Sequence, residues 1–311
     1  MLLAAVPFGS QLAANEPVRW RVHSAFSEAH QEFGTLAAEL ALDLAVLSEQ
    51  DMQLKVFQPG AFAASTAYLT AVSEGRIEAA LGSPALHSGR PALALFGGWP
   101  AGPTLDGFLN WLNDGGGLAL AQQLYRQENI HFLVCGIAPA AHDGWFLHDF
   151  NSTGQIAGLP VLADGLAART LARLGARIVA ADGPDFTALL ESGEALAVFG
   201  SVRGRGYRDQ LDARFKHRFA QAWVPAFSVI ELLVNLPAWQ ALSDAQRLMV
   251  ELTCETRLTR LRALGAGPAR DTMPAALQAD LTNALALEAA ALAENDPDFA
   301  LVWQQKPQVF R

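Results

Sequence analysis

No stretch of this chain approaches the ~20 uninterrupted apolar residues that a helix needs to cross a bilayer, so a membrane partner is compatible with it and a membrane span is not. Basic side chains are scarce: 22 Lys and Arg stand against 31 Asp and Glu, a formal charge of −9. Nucleic-acid affinity rests on clustered Lys and Arg that release counterions, and that class is set aside. Cysteine is nearly absent. Cys135 and Cys254 sit far apart, with no metal-ligand spacing around either. Sequence alone cannot decide whether they bridge, and the plain expectation is two buried thiols packing as small hydrophobes. His142 and His148 bracket Gly-Trp-Phe and His87 follows the third strand, but no HxxxH, HExxH or CxxC pattern supports a metal site. G-x-S-x-G, a Walker loop and a G-x-G-x-x-G opening a helix are missing too, so neither a cofactor nor catalysis is expected.

What is present suffices for sizeable cores: 311 residues, 51% apolar and only 17% charged, enough for two ordinary domains. The opening MLLAAVPFGSQLAAN is apolar and ends in small residues like the end of a secretory signal, without a basic start. VRWRVHSAF (Val18 to Phe26) has strand character, Phe33 to Leu47 carries apolar residues at helical spacing, and MQLKVF (Met52 to Phe57) alternates as a strand before Pro59-Gly60. Another helical pattern, Ala61 to Glu74, leads into the strand IEAALG (Ile77 to Gly82). This β-α-β order predicts a mainly parallel sheet covered by helices, with ligands at the carboxyl ends of its strands.

Leu105 to Gln127 reads as helix interrupted at Gly115-Gly116-Gly117, and IHFLVCGI as a buried strand crossing to a second domain. There the logic repeats: GLPVLA, Leu166 to Leu174, ARIVAA, Asp185 to Ser192 and ALAVFG alternate strand and helix. Two β/α halves imply a cleft between them. FSVIELLVN (Phe227 to Asn235) is one more apolar strand, followed by AWQALSDAQRLMVELTCETRLTRL and the Ala-rich run Pro274 to Glu294 as long helices.

Several of these segments resemble one family in order and spacing. FQPG followed by AVSEGRIEAALG, PALALFGGWPAG, the triple glycine, GWF with GLPVLADGLAARTLARLG, and VPAFSVIELLVNLPAWQALSDAQRLMVE resemble the DctP-family solute-binding proteins of TRAP transporters, nearest the branch that binds 2-oxo acids. The resemblance covers most of the chain beyond Arg19. It implies a two-domain, periplasmic-binding-protein-like (type II-like) α/β fold with a ligand cleft between domains and a helical C-terminal part. The expected divisions are residues 1–17 as a signal remnant, 18–133 and 134–226 as the two α/β domains, and 227–311 as a crossover strand and helices packing on both. The implied function is extracytoplasmic: capture of a small organic acid by domain closure and delivery to a membrane permease, in the periplasm, by a protein expected to be a monomer.

The same resemblance implies a carboxylate-clamping arginine where this chain has Leu162, and a Glu-Trp pair near Phe199 and Gly200. It also implies paired aromatics near Pro84 and Ala85, and a glutamine near Ala141. None of these is present. An alkyl group cannot replace a planar bidentate donor, so a rebuilt site is expected. Candidates for it are Arg203 and Arg205, in the Gly-rich SVRGRGYRD just after a strand end, whose other reading is a solvated basic loop. Trp99, Trp145, Phe199, Trp223 and Phe227 fall at element ends, where rings can line an apolar pocket or simply pack in the core; as a set they favour an aromatic or less polar ligand. Two further classes stand beside transport: a sensor or docking module without it, and an enzyme using His142, Asp143 and Asp164, which no spacing supports.

Overall fold

A computed structural model describes residues 17–30, 33–62, 67–87, 89–139, 144–179, 186–200, 207–220, 227–262 and 271–306. The first sheet contains β1 (Val18–Ser24), β2 (Met52–Phe57), β3 (Ala79–Gly82), β4 (Ile130–Pro139) and β10 (Phe227–Asn235), in the order β2-β1-β3-β10-β4. The first three are parallel, and β10 runs antiparallel to both its neighbours, so the sheet is mixed. All nine residues of β10 are buried, as expected of a central strand with both faces covered. Helices α1 (Leu36–Leu47), α2 (Tyr68–Ser73), α3 (Pro91–Ala94), α4 (Leu105–Asn113) and α5 (Gly117–Gln127) complete this half. The triple glycine lets α4 turn into α5 over Trp111: Gly116 has φ +83°, and a Cβ on Gly115 or Gly117 would press on Trp111.

The second sheet has the order β11-β9-β5-β8-β6-β7, built from β5 (Gly144–Phe146), β6 (Pro160–Ala163), β7 (Arg177–Ile178), β8 (Ala197–Phe199), β9 (His217–Ala220) and β11 (Asp271–Thr272). Helices α6 (Gly165–Arg173), α7 (Phe186–Ser192) and α8 (Arg208–Arg214) accompany it. The chain leaves the first sheet through β4 and returns through β10, two paired strands that act as the link between halves.

The predicted helix after β10 is divided: α9 (Leu236–Gln240) stops, and α10 (Asp244–Arg262) restarts behind a reciprocal cap in which Ser243 and Gln246 bond each other's backbone N–H. Asn235 starts α9 and also donates to the Val72 carbonyl. The Ala-rich run is α11 (Ala275–Asn295), and α12 (Pro297–Gln304) follows with Asp296 as cap. Glu288 of α11 takes Arg169 and Arg173 of α6, while α12 packs on α3, so the C-terminal helices touch elements of both halves.

The two cysteines correct the expectation of free thiols. Both are buried, but Cys135 of β4 and Cys254 of α10 form a disulfide that fastens the long helix to the linking strand. The packing of α10 on β4 brings them together, a juxtaposition across 119 residues that no sequence spacing displays.

Candidate functional site

The carboxyl ends of β1 and β3 face those of β6 and β8 across the junction of the two halves. Past β3, a 3-10 turn at Pro84–Leu86 brings the Ala85 carbonyl within 3.5 Å of where a Cβ on Gly165 would lie. Gly165, at φ +56°, opens α6 directly after β6. A small crevice between α3 and α6 is lined by Pro91, Ala94, Gly165, Leu166 and Arg169. Tyr207 of the second half closes on the first: its hydroxyl lies 3.2 Å from Ser27 Oγ, and its ring meets His30 edge-on at 6.0 Å. These are the places where one half reads the position of the other.

Beneath the first-half rim is a buried polar cluster. Glu231, fully enclosed in the middle of β10, accepts from Tyr68 Oη at 2.7 Å and Tyr125 Oη at 2.6 Å, and its Oε1 lies 2.6 Å from His87 Nε2. The Tyr68 hydroxyl also accepts from the Ser83 N–H at 3.1 Å, leaving its single proton to be directed at Glu231 or the Ser83 carbonyl. Gly82 is required here, because a Cβ would run into the Tyr68 ring. Burial, and then the Glu231 charge, pushes the Tyr125 hydroxyl well above its ordinary range, so it stays a donor. Removing a carboxylate from water is tolerable only with its oxygens engaged in this way.

His23, beside Tyr68 on β1, is buried, and its pKa falls to about 4 through desolvation. His131, stacked on Trp239 at 3.9 Å, also falls to about 4, first by burial and then through the nearby Arg126 and Arg247 charges. Both rings are held neutral in the folded protein while the unfolded chain protonates near pH 6.5. Their contribution is therefore complete above pH 6.5 and is lost as pH falls toward 4, by on the order of 2–3 kcal/mol for each. Urea unfolding at pH 7.5, 5.5 and 4.5 checks this; equal unfolding free energies for the wild type and a His23→Asn, His131→Asn variant's pH profile of the same slope would contradict it.

In the second half, β-ladder register sets Leu162, Val198, Trp145 and Arg218 in one row on one face of the sheet. Leu162, where the family resemblance implies an arginine, is fully buried among Trp145, Val198, Leu211 and Phe215. Arg218 is also buried; its guanidinium lies 5.6 Å from the Trp145 ring centroid and donates to Asp212 Oδ2 at 3.3 Å. Asp212 Oδ1 accepts from Trp145 Nε1 at 2.9 Å, so one carboxylate from α8 fixes both side chains.

Trp99 packs edge-on against Phe108 and Trp111, and Phe227 lies 4.6 Å from Phe108, both within the first-half core. Phe199 meets Phe146 edge-on, on the sheet face opposite Trp145. The structure thus brings Trp99 and Phe227 together through Phe108 and keeps Trp145 and Phe199 on separate faces. Arg203, Arg205, Trp223, His142 and Asp143 lie outside the described residues; Asp164 stands immediately before α6. Sequence reasoning passed over Glu231 and Arg218. The first carried a signal: a lone carboxylate inside the apolar run FSVIELLVN. Arg218 had none, since its burial depends on strand pairing. Among the described residues no group of three His, Cys, Asp or Glu side chains is arranged to hold a metal ion, and no helix is long and apolar enough to cross a membrane.

No family model matches the chain. Over 250 residues it is 27% identical to a monocarboxylate 2-oxoacid-binding periplasmic protein from a Nostoc species, a match spanning 78% of this chain and 67% of that one. Among solved structures, a TRAP transporter solute-binding protein from Bordetella bronchiseptica, with copurified calcium and picolinate in its site, superposes with a TM-score of 0.84 at 24% identity, over 94% of this chain and 91% of the other. A TRAP periplasmic solute-binding protein from Pseudoalteromonas atlantica with bound sodium and pyruvate gives 0.82 at 17% identity, over 93% of each chain. The chain is thus similar in sequence, along most of its length, to a periplasmic 2-oxoacid-binding protein, and it shares the two-sheet fold of the periplasmic solute-binding proteins of TRAP transporters.

Proposed function

We propose that the protein captures a small organic acid in the cleft between its two halves and hands it to a TRAP membrane permease. The observation that carries this reading is the facing of strand ends from two sheets linked by the paired strands β4 and β10, with Tyr207 reaching across to Ser27 and His30. A solute that touches both rims stabilises the closed arrangement by its differential affinity for it, and the permease recognises that arrangement. Nothing in this sequence of events requires bond chemistry, and the protein acts as a receptor rather than an enzyme.

The ligand is expected to have an apolar or aromatic body. Leu162 stands, packed behind Trp145, where the resemblance implies a clamp, and on this reading the aromatic lining comes from Trp223 and from the faces of Trp145, Phe199, Trp99 and Phe227 that opening of the cleft uncovers. Arg203 and Arg205 supply the anion anchor. Arg205→Ala then weakens binding at least about tenfold by titration calorimetry, the loss of a charge-assisted hydrogen bond worth ~1.5–3 kcal/mol; unchanged affinity removes that loop from the site. The protein works as a monomer of two α/β domains, residues 18–133 and 134–226, with 227–311 packing on both.

A thermal-shift screen against 2-oxo acids, pyridine and benzene carboxylates, hydroxy acids, sugars and amino acids, with and without calcium or sodium, tests the reading. A ligand that binds only the folded state raises the melting temperature by mass action. Stabilisation by a carboxylate supports capture, and stabilisation by sugars or amino acids alone overturns the ligand class. The absence of the arginine at Leu162 favours a second reading, a sensor or docking subunit without transport, which silence across every class would support.

A further inference from the structure

Tyr207 stands immediately before α8, and the second half holds it in place. The Leu211 N–H donates to the Tyr207 carbonyl at 2.9 Å, so the tyrosine opens the first turn of the helix. Leu211 is fully buried, and Asp212 on the same helix accepts from Trp145 Nε1 at 2.9 Å and from Arg218. Tyr207 itself belongs to the apolar cluster of Trp145, Leu162, Leu211 and Phe215. Sliding α8 over the sheet would break these contacts together, so the Tyr207 ring travels with the second half as one body.

The surface that meets it in the first half is equally fixed. After β1, Ser24 Oγ closes a tight turn, donating to the Phe26 carbonyl at 2.7 Å and accepting from the Phe26 N–H at 3.2 Å, and the Ala25 N–H donates to the Leu81 carbonyl of β3 at 2.9 Å. His30 accepts the Phe33 N–H on Nδ1 at 3.1 Å, stacks on the Phe33 ring at 4.7 Å and meets Phe26 edge-on at 5.2 Å. The turn wraps so closely over Gly34 that a Cβ there would lie 2.6 Å from the Ser27 carbonyl and 2.7 Å from those of Glu28 and His30. Ser27 and His30 are therefore presented by a rigid turn.

The contact between these two bodies is enclosed: Tyr207 is 7% exposed and His30 4%, with the Tyr207 hydroxyl 3.2 Å from Ser27 Oγ and the two rings edge-on at 6.0 Å. Opening the cleft wets both rings and exchanges the Ser27 bond for water. Covering them favours the closed arrangement whether or not a solute is present.

We infer that Tyr207 is a latch that keeps a share of the solute-free protein closed. Resting on the receptor reading above, it is also a positioning residue for capture, because a solute that needs the closed form binds with an apparent dissociation constant equal to the intrinsic one divided by the closed fraction. Small-angle X-ray scattering of the solute-free protein tests the latch, with each curve resolved into closed and opened forms and the melting temperature read on the same samples. Tyr207→Phe keeps the ring and loses the hydroxyl, and its closed-to-open ratio is expected to fall roughly two- to tenfold, the range set by one neutral hydrogen bond. Ser27→Ala, which leaves the second half untouched, is expected to produce the same fall, and the double variant no more than either alone. Tyr207→Ala removes the ring as well and is expected to have the largest radius of gyration of the set. Coincident scattering from Tyr207→Ala and the wild type overturns the inference. So does a lower melting temperature with an unchanged closed share, which makes Tyr207 a packing residue of the second half, and so do fully additive losses for Tyr207→Phe and Ser27→Ala. The receptor reading fails separately, when no carboxylate shifts the melting temperature of the wild type although the order of radii holds.

Discussion

Glu231→Ala is expected to lower the unfolding free energy by about 3–5 kcal/mol, the cost of breaking a buried charged network by deleting one member. The carboxylate is the shared acceptor of Tyr68 and Tyr125 and lies against His87 Nε2. Its loss strands the Tyr125 hydroxyl where water does not reach, at ~1–3 kcal/mol, turns the Tyr68 proton to the Ser83 carbonyl alone, and leaves a cavity in the central strand of the first sheet. Tyr125→Phe removes the donor to Oε2 while Tyr68 keeps its bond to Oε1, and should cost about 1–3 kcal/mol. Urea unfolding monitored by fluorescence distinguishes these outcomes. A loss for Glu231→Ala no larger than that for Tyr125→Phe would mean that the network carries little of the fold's stability.

Opening the Cys135–Cys254 bridge should be the other large effect. The bridge closes a loop of 119 residues, and in the chain-entropy description closing a loop that long withdraws on the order of 5 kcal/mol of disorder from the unfolded chain. Measured bridges usually deliver 2–5 kcal/mol, so the Cys135→Ala, Cys254→Ala variant is expected to melt roughly 3–8 °C lower than the oxidised wild type. Dithiothreitol should move the wild type to the variant's melting temperature and leave the variant unmoved. Coincident melting of oxidised and reduced protein would contradict this. A bridge between two buried cysteines fits a protein that folds in the oxidising periplasm.

Much of the fold was legible because local signals and burial agreed. MQLKVF and FSVIELLVN became β2 and β10 at their predicted bounds, the first from alternation closed by Pro59-Gly60, the second from a continuous apolar run that only a central strand can bury. The triple glycine marked a real change of direction. The division between α9 and α10 was missed because the apolar spacing runs on across Ser243, and the cap that restarts the helix involves only Ser243 and Gln246.

The site was harder to read. Its parts are side chains that meet through pairing across β5, β8 and β9 or through packing of α2, α5 and the turn after β3 onto β10, none of it expressed in linear spacing. Leu162 was informative as a departure: an alkyl group where the resemblance implies a guanidinium, found packed against Trp145. Arg218, buried in the same row, became visible only once β9 was paired with β5. Trp99, Trp145, Phe199 and Phe227 are placed in cores, as large apolar side chains are by default, and ligand titration decides what they do in the cleft.

The central claim is capture by closure of two halves, and small-angle X-ray scattering tests it most directly, with and without the carboxylate that gives the largest thermal stabilisation. The account predicts that saturating ligand shifts the scattering from a mixture including an open form to a single, more compact form, with a smaller radius of gyration. Identical scattering curves for free and saturated protein would contradict it.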